Sequence, residues 1–396
     1  MRLASIIKLA SIVACVFLGG WSAYDAGVGL AARGNPQAAL RIDPDHAPAL
    51  LRSGELMLAQ SPDKAADRRV SMARTARRDE PLAAAAPRQI AMAEDRNLIG
   101  TDAFPLMDLA ARLSRRDGVA QIWLAQHAIK QGELGRSVEH LDTLLRVHEK
   151  QKNLIFPQLA KIDDSAPFAK ALAVRSDRGA LWVSEYLMFL LSGAGKAEFV
   201  ADVLSAIREP QSLRHGDDIT RETIRTLAVA EKGARAADLF AAVRKSGLIQ
   251  TEAGSENSSP TDLRWTLLNW PDAASEWRGE GSSKALDVLV ESGTRRTIAQ
   301  QVRFDPPGNF RYSPEQDNLN IADGAKITIR LDCAGKAARE VWSLTPDGPV
   351  GGQRTYRIDE DCQTQLYSID VIGPDSGSPL TASLQRLAPI KVASAR

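Results

Sequence analysis

The chain is poor in the residues on which most enzymes and metal proteins depend. Its 396 residues include three cysteines and five histidines, and aromatic residues make up only 5%. Neither the HExxH zinc motif nor the Gly-x-Ser-x-Gly nucleophile motif occurs in it. The sequence therefore predicts no catalytic residue, no cofactor site and no metal site, and we expect a protein that is not an enzyme.

An excess of charge of one sign is also missing. The chain has 50 basic and 49 acidic residues, so its formal net charge is +1. Domains that bind nucleic acid usually carry a marked excess of positive charge, so we expect no nucleic-acid partner. With 44% hydrophobic and 25% charged residues the composition is that of globular domains, and the length favours two or three of them.

The longest run without charge lies near the N-terminus. Leu9 to Tyr24 is uncharged and follows Arg2 and Lys8. Together with the apolar residues before Lys8, it is long enough as a helix to span a bilayer core of roughly 30 Å. We expect residues 1–27 to be a membrane anchor or signal segment. The two cations then predict a single-pass protein of the bacterial inner membrane, with its N-terminus cytoplasmic and its bulk periplasmic. A cleaved signal peptide and a lipoprotein signal at Cys15 remain alternatives.

Only two cysteines, Cys333 and Cys362, lie beyond the N-terminal segment. They flank two strand-like stretches, and in an oxidising compartment such a pair forms a disulfide more often than it stays free. Closing a loop of this size contributes roughly 3 to 4 kcal/mol in the chain-entropy model. We therefore predict a disulfide between them, with two buried free thiols as the alternative.

A short motif recurs in the first third of the chain. Ala73–Asp79 (ARTARRD) returns as Ala111–Asp117 (ARLSRRD), and Ala38–Pro44 is a more distant copy. An apolar stretch of helical spacing follows each copy. The aspartates at positions 43, 79 and 117 are 36 and 38 residues apart. Repeats of this length are typical of stacked helix pairs, which offer an extended surface to partners. Because helical spacing continues to about residue 250, we predict an α-solenoid over 28–252.

The pattern changes after a segment rich in glycine and serine. Residues 253–262 have the composition of a linker, and from residue 263 onward apolar and polar residues alternate with period two. Nine short strands are predicted there, with none between 268 and 284 or between 313 and 325. We predict an antiparallel, jelly-roll-like β-sandwich over 263–396.

The repeats resemble the tetratricopeptide (TPR) family. Ala39–Leu50 is similar to the end of one TPR unit and the start of the next, and Gly132 fits the turn between the two helices of a unit. The resemblance covers roughly residues 28 to 150. It implies that the solenoid binds a protein or peptide, which we expect to be a protein of the cell envelope.

The C-terminal part resembles the carbohydrate-binding-like sandwich attached to helical-repeat proteins of alphaproteobacterial envelopes. Val302–Tyr312, Ile329–Cys333, Trp342 and Asp361–Leu366 carry this resemblance. Some of those proteins are linked to exopolysaccharide synthesis, so the resemblance implies a polysaccharide ligand.

Glycans bind through exposed aromatic faces assisted by polar side chains. We name Trp270, Trp277 and Tyr312 as candidate glycan contacts, although aromatic residues of a sandwich more often belong to its core. The repeated arginines of the motif could likewise bind an acidic polymer, but solvated cations at helix ends are the simpler interpretation.

These observations together predict a non-enzymatic, membrane-anchored periplasmic scaffold that supports the synthesis or export of cell-envelope polysaccharide. One alternative is a lectin-like protein whose sandwich binds glycan directly. A second is a glycan-active enzyme, which needs two carboxylates about 5 to 10 Å apart in a cleft.

Overall fold

A computed structural model describes most of the chain beyond the N-terminal segment. The described residues are 27–60, 66–94, 103–162, 165–248, 263, 265–279, 284–312, 314–333, 338–350, 354–387 and 389–392. The chain divides into two compact units, Met1–Ile155 and Phe156–Arg396. The predicted linker at 253–262 lies outside the described residues, so the domain boundary placed there stays a prediction.

The first unit is helical, and its helices pack in series. From α2 to α8, each helix contacts the next one along the chain. The helices are α1 (residues 27–34), α2 (Pro36–Ile42), α3 (Ala47–Gln60), α4 (Ala66–Asp79), α5 (Ala85–Glu94), α6 (Ala103–Leu113), α7 (Gly118–Lys130) and α8 (Leu134–Val147). This is the predicted helical-repeat architecture.

The repeated motif ends the second helix of a pair. Asp79 is the last residue of α4, and Asp117 is the N-cap of α7, where its carboxylate accepts a hydrogen bond from the Ala120 amide. Alanines such as Ala73 and Ala76 are fully buried between the helices. Small side chains at these positions let neighbouring helix backbones approach closely, which explains the alanine-rich pattern of the repeats.

The division between the units falls within α9 (Lys152–Leu159), and five more helices follow in the second unit. Tyr186 and Leu187, in the most apolar of these helices, are buried. Burial rather than membrane insertion therefore accounts for this helix, as expected for so short an apolar stretch. The five helices are α10 (Ala166–Asp177), α11 (Leu181–Phe189), α12 (Ala197–Ala206), α13 (Gly216–Val229) and α14 (Gly233–Ser246).

Antiparallel sheets form the rest of the second unit, as predicted. They have the strand orders β1-β4-β11-β7-β8-β9, β10-β5-β13 and β2-β3-β12-β6. The jelly-roll topology itself stays a prediction. The strands are β1 (Thr266–Leu267), β2 (Ala273–Arg278), β3 (Ala285–Val290), β4 (Arg295–Arg303), β5 (Gly308–Tyr312), β6 (Glu315–Asn320), β7 (Lys326–Cys333), β8 (Arg339–Thr345), β9 (Gly348–Val350), β10 (Arg354–Ile358), β11 (Gln365–Ile372), β12 (Leu380–Gln385) and β13 (Ile390–Lys391).

Helices and sheets of the second unit share a packed interface. The rings of Phe240 in α14 and Phe304, which follows β4, stack with their centroids 4.2 Å apart. The Thr364 hydroxyl donates a buried hydrogen bond of 2.7 Å to the carbonyl oxygen of Gly233, the first residue of α14. Helices α10–α14 and the sheets therefore belong to one compact unit.

The predicted membrane localisation is contradicted. Within the described ranges, no helix is both long enough and apolar enough to cross a bilayer. The predicted anchor, residues 1–27, lies outside these ranges apart from its last residue. The single-pass inner-membrane location and the periplasmic placement derived from it are therefore not carried further.

Candidate functional site

An ion-pair network joins three successive helix pairs of the first unit. Arg88 of α5 is almost fully buried, and its Nη2 lies 2.8 Å from Oε1 of Glu55 in α3. Its Nε lies 2.8 Å from Oδ2 of Asp117, the N-cap of α7. One guanidinium thus bonds to the first helix of the preceding pair and to that of the following pair. The planar fork of arginine suits such a bridge because its donors have fixed directions.

A close contact beside this network fixes α3 against α5. The Gln89 side chain is buried, and its Nε2 donates a hydrogen bond of 2.7 Å to the carbonyl oxygen of Leu51. A Cβ atom added to Gly54 would lie 2.3 Å from Oε1 of Gln89. A larger residue at position 54 would therefore have to displace the Gln89 side chain from its hydrogen bond to Leu51.

The repeated arginines lie on the surface. Arg77, Arg78, Arg115 and Arg116 are exposed, and Arg112 pairs with Asp108 one helical turn away at 3.1 Å. Exposed cations near helix C-termini interact favourably with the helix dipole. Their placement agrees with the simpler interpretation of the motif.

Trp270 is the one predicted glycan contact whose ring is well exposed. Its side chain is 44% accessible, and its Nε1 donates a hydrogen bond of 3.0 Å to the Thr297 carbonyl. The Arg296 guanidinium lies 5.3 Å from the ring centroid, and Arg296 is itself paired with Asp272 at 3.0 Å. These contacts hold the indole in one orientation while it remains open to solvent.

The other two predicted contacts are less accessible. Trp277 is half-buried against the sheet core, and the Lys284 ammonium lies 4.8 Å from its ring centroid. Tyr312 is fully buried, and its hydroxyl donates a hydrogen bond of 2.8 Å to the Leu387 carbonyl. A ring in the core cannot reach a surface glycan, so Tyr312 is removed from the candidate contacts.

A cleft of about 500 Å³ lies on the four-stranded sheet, across β2, β3 and β12. Its lining includes Asn269, Glu276, Arg278, Asp287, Leu289, Thr381 and Ser383. Neither Trp270 nor Trp277 is among the lining residues. The volume lies within the usual range of small-molecule sites.

Sequence reasoning missed this cleft because it missed one of its strands. Ala273 to Glu276 has weak strand propensity and no apolar alternation, so no strand was predicted at β2. The signal that could have found it is the period-two spacing of Ala274, Glu276 and Arg278. That spacing places the three residues on one face of a strand.

No protein-family model and no curated protein matches the chain. Among solved structures it matches YrrB, described as a TPR protein with an unusual peptide-binding site. The sequence identity is 14% and the TM-score 0.31, and the match covers 54% of this chain and 92% of YrrB. At this level of similarity YrrB is a comparison only. The helical-repeat architecture rests on the serial packing of α2–α8.

The predicted disulfide is present. Cys333 ends β7 and Cys362 precedes β11, with their Cα atoms 5.3 Å apart. The Cys362 carbonyl accepts a hydrogen bond of 2.6 Å from Nε2 of Gln365, whose Oε1 accepts one of 2.7 Å from the Asp305 amide. Disulfides persist mainly in oxidising compartments, so the pair favours a non-cytoplasmic location.

The carboxyl group of Asp332, next to Cys333 of the disulfide, lies where its ionised form is disfavoured. Burial raises the pKa of Asp332 above its ordinary value, the nearby Glu231 carboxylate raises it further, and Arg330 opposes the change. The Oδ1 atom of Asp332 is buried and has no hydrogen-bond partner among the described residues. Partial burial and the neighbouring carboxylate of Glu231 therefore disfavour the ionised form, and the attraction of Arg330 offsets only part of this effect.

Proposed function

We propose that this chain is a protein-interaction scaffold whose helical unit binds a partner protein or peptide. The observation that supports this most directly is the bridge from the buried Arg88 to Glu55 and Asp117. It fixes three helix pairs in one register, and a surface held in its binding conformation loses less entropy on association. Helical repeats of this kind present extended surfaces to partners.

The surface near this bridge offers apolar contacts. Leu56 of α3, next to Glu55, is 39% exposed, and Val119 of α7, two residues after Asp117, is 42% exposed. Apolar side chains that a partner covers favour association because their surface is removed from water. We infer that the partner contacts the first helices of successive pairs, α3 and α7 among them.

The test is affinity capture with the full chain as bait. The capture is then repeated with variants of the bait, and the amount of each captured protein is compared with that captured by the unmodified chain. We expect Leu56→Glu and Val119→Glu each to reduce capture of the true partner about tenfold or more, because a charge would be buried at the interface. Leu181→Glu, at an apolar position of the second unit that is 55% exposed, serves as the control. Equal capture by all three variants would reject this surface as the binding site.

A second candidate function is polysaccharide binding by the sheets of the second unit. The observation that favours it is Trp270, a half-exposed indole held by Thr297 and Arg296. An immobilised aromatic face is suited to stack against the apolar face of a sugar ring. The resemblance of the C-terminal part makes an exopolysaccharide the first ligand to test. A Trp270→Ala variant of the full chain should lose binding to the polymer.

We propose binding rather than catalysis for both units. The cleft contains two carboxylates, but Asp287 is paired with Arg278 at 3.0 Å and accepts a hydrogen bond from Ser383 at 2.5 Å. Each of its oxygens already bonds to a side chain of the fold, so we assign Asp287 no role as a glycosidase nucleophile or acid. Release of shortened saccharides from a polymer by the full chain would overturn this part of the proposal.

A further inference from the structure

The cleft on the four-stranded sheet brings polar side chains from three strands onto one face. In the strand register, Glu276 lies opposite Asp287, which lies opposite Ser383, and Ala274, Leu289 and Thr381 form the adjacent row. Residues directly opposite each other in antiparallel strands project to the same side of the sheet. The opposite face carries Val288 and Val290, which belong to the core. The two rows therefore line the outer face of the sheet.

The floor of the cleft is fixed by bonds across the strands. Arg278 Nε lies 3.0 Å from Oδ2 of Asp287, and its Nη2 donates to the Ser383 hydroxyl at 3.3 Å. The Ser383 hydroxyl donates to Oδ1 of Asp287 at 2.5 Å. These bonds orient the Arg278 guanidinium. Because arginine carries five N–H donors, some of them remain available to a ligand. A ligand would meet donors whose positions are already set.

Unlike Arg278, Asp287 and Ser383, neither Glu276 nor Leu289 takes part in these cross-strand bonds. Glu276 is exposed, and its side chain forms no ion pair or hydrogen bond within the described part of the chain. Its carboxylate can accept about four hydrogen bonds. Leu289, in the neighbouring strand, is 47% exposed beside it. The cleft thus combines the unpaired carboxylate of Glu276, the oriented N–H donors of Arg278 and the apolar side chain of Leu289.

We propose that this cleft binds a neutral oligosaccharide. Sugar hydroxyls both donate and accept, which matches the Glu276 carboxylate together with Arg278 and the Thr381 hydroxyl, while Leu289 can cover an apolar sugar face. Glu276 and Asp287 against Arg278 give the lining a net charge of −1, and this charge disfavours acidic sugars. The inference rests on the second candidate function above and adds a hydrogen-bonding cleft whose lining includes Asn269, the residue before Trp270.

The experiment is calorimetric titration of the full chain with four neutral probes, namely cellohexaose, maltohexaose, mannohexaose and laminarihexaose, and with hexagalacturonate as the acidic probe. The variants are Glu276→Gln and Leu289→Arg, which blocks the cleft from an exposed position. The matched control is Glu360→Gln, an exposed glutamate in the turn before β11. A melting temperature within about 2 °C of the unmodified chain shows that each variant is folded.

We expect one neutral probe to bind, and Glu276→Gln to weaken it about tenfold or more while Glu360→Gln leaves it unchanged. Leu289→Arg should abolish binding. If Trp270→Ala removes binding but the two cleft variants do not, the cleft proposal fails and polysaccharide binding stands. If no probe binds, both the cleft and the polysaccharide function fail. Tighter binding of hexagalacturonate than of every neutral probe would overturn the expected charge preference.

Discussion

At the scale of single residues, Gly54 shows how one missing methyl group sets the distance between two helices. A Cβ at this position would lie 2.3 Å from Oε1 of Gln89, and the hydrogen bond from Nε2 of Gln89 to the Leu51 carbonyl holds that side chain in place. Gly54→Ala should therefore lower the free energy of unfolding by about 1 to 3 kcal/mol, as overpacking does. Urea titration monitored by circular dichroism measures the change.

Gly135 provides the matched control in α8. Nothing lies within 4 Å of a Cβ added there, and the residue is exposed in the first turn of the helix. Because alanine favours helix over glycine, Gly135→Ala should be neutral or stabilising by up to about 1 kcal/mol. If both substitutions stabilise the protein equally, the close contact of Gly54 with Gln89 is not a packing constraint.

Asp332 should make the stability of the protein depend on pH. Its pKa is raised in the folded state, chiefly by burial, so the stability that it contributes is present below the unfolded pKa of about 3.9 and is lost as the pH rises through the folded pKa. Asp332→Asn removes this partly buried charge. Because solvent screens a group that is only partly buried, we expect a stabilisation of less than about 0.5 kcal/mol at pH 7, which disappears toward pH 3.

Thermal unfolding at several pH values checks this prediction. Asp323→Asn, at an exposed turn position, is the control, and its effect should be small throughout. A stabilisation by Asp332→Asn that is the same at pH 3 and pH 7 would argue against ionisation as its cause.

At the scale of elements, we expect the Arg88 bridge to hold α3, α5 and α7 in their relative positions. Arg88→Met leaves the partly buried Asp117 without its cation, and removing one partner of a largely buried ion pair costs about 3 kcal/mol. Arg112→Met breaks only an exposed pair within one helix and should change stability by less than about 0.5 kcal/mol. Denaturant titration of both variants compares them, and equal effects would show that the bridge is not structural.

Elements with strong local patterns could be predicted from the sequence, whereas others could not. The helix pairs follow from the repeat and its aspartates, and the Ile327 to Leu331 alternation predicts β7. The sequence of β2 is polar and rich in alanine, and this strand forms because it pairs with β3, whose Val288 and Val290 enter the core. Such pairing depends on tertiary contacts, which local propensity does not contain.

The binding residues were harder to predict for the same reason. Trp270 could be named because an aromatic residue beside a proline is easily exposed, whereas Tyr312 was named as an aromatic residue alone and is buried. Glu276, Asp287 and Ser383 are far apart in the sequence and become neighbours only through the register of three strands. The disulfide could be predicted because few cysteines leave few possible pairs.

At the scale of the whole molecule, the division into Met1–Ile155 and Phe156–Arg396 predicts where a local change is felt. The disulfide joins residues 29 apart, so replacing both cysteines by serine should destabilise the second unit by about 3 to 4 kcal/mol. Hydrogen exchange followed by mass spectrometry should then show faster exchange in β7, β11 and α14, because Thr364 and Gln365 lie next to the bridge. Arg88→Met should instead accelerate exchange in α3, α5 and α7. Equal acceleration of both units by either change would contradict the division into two compact units.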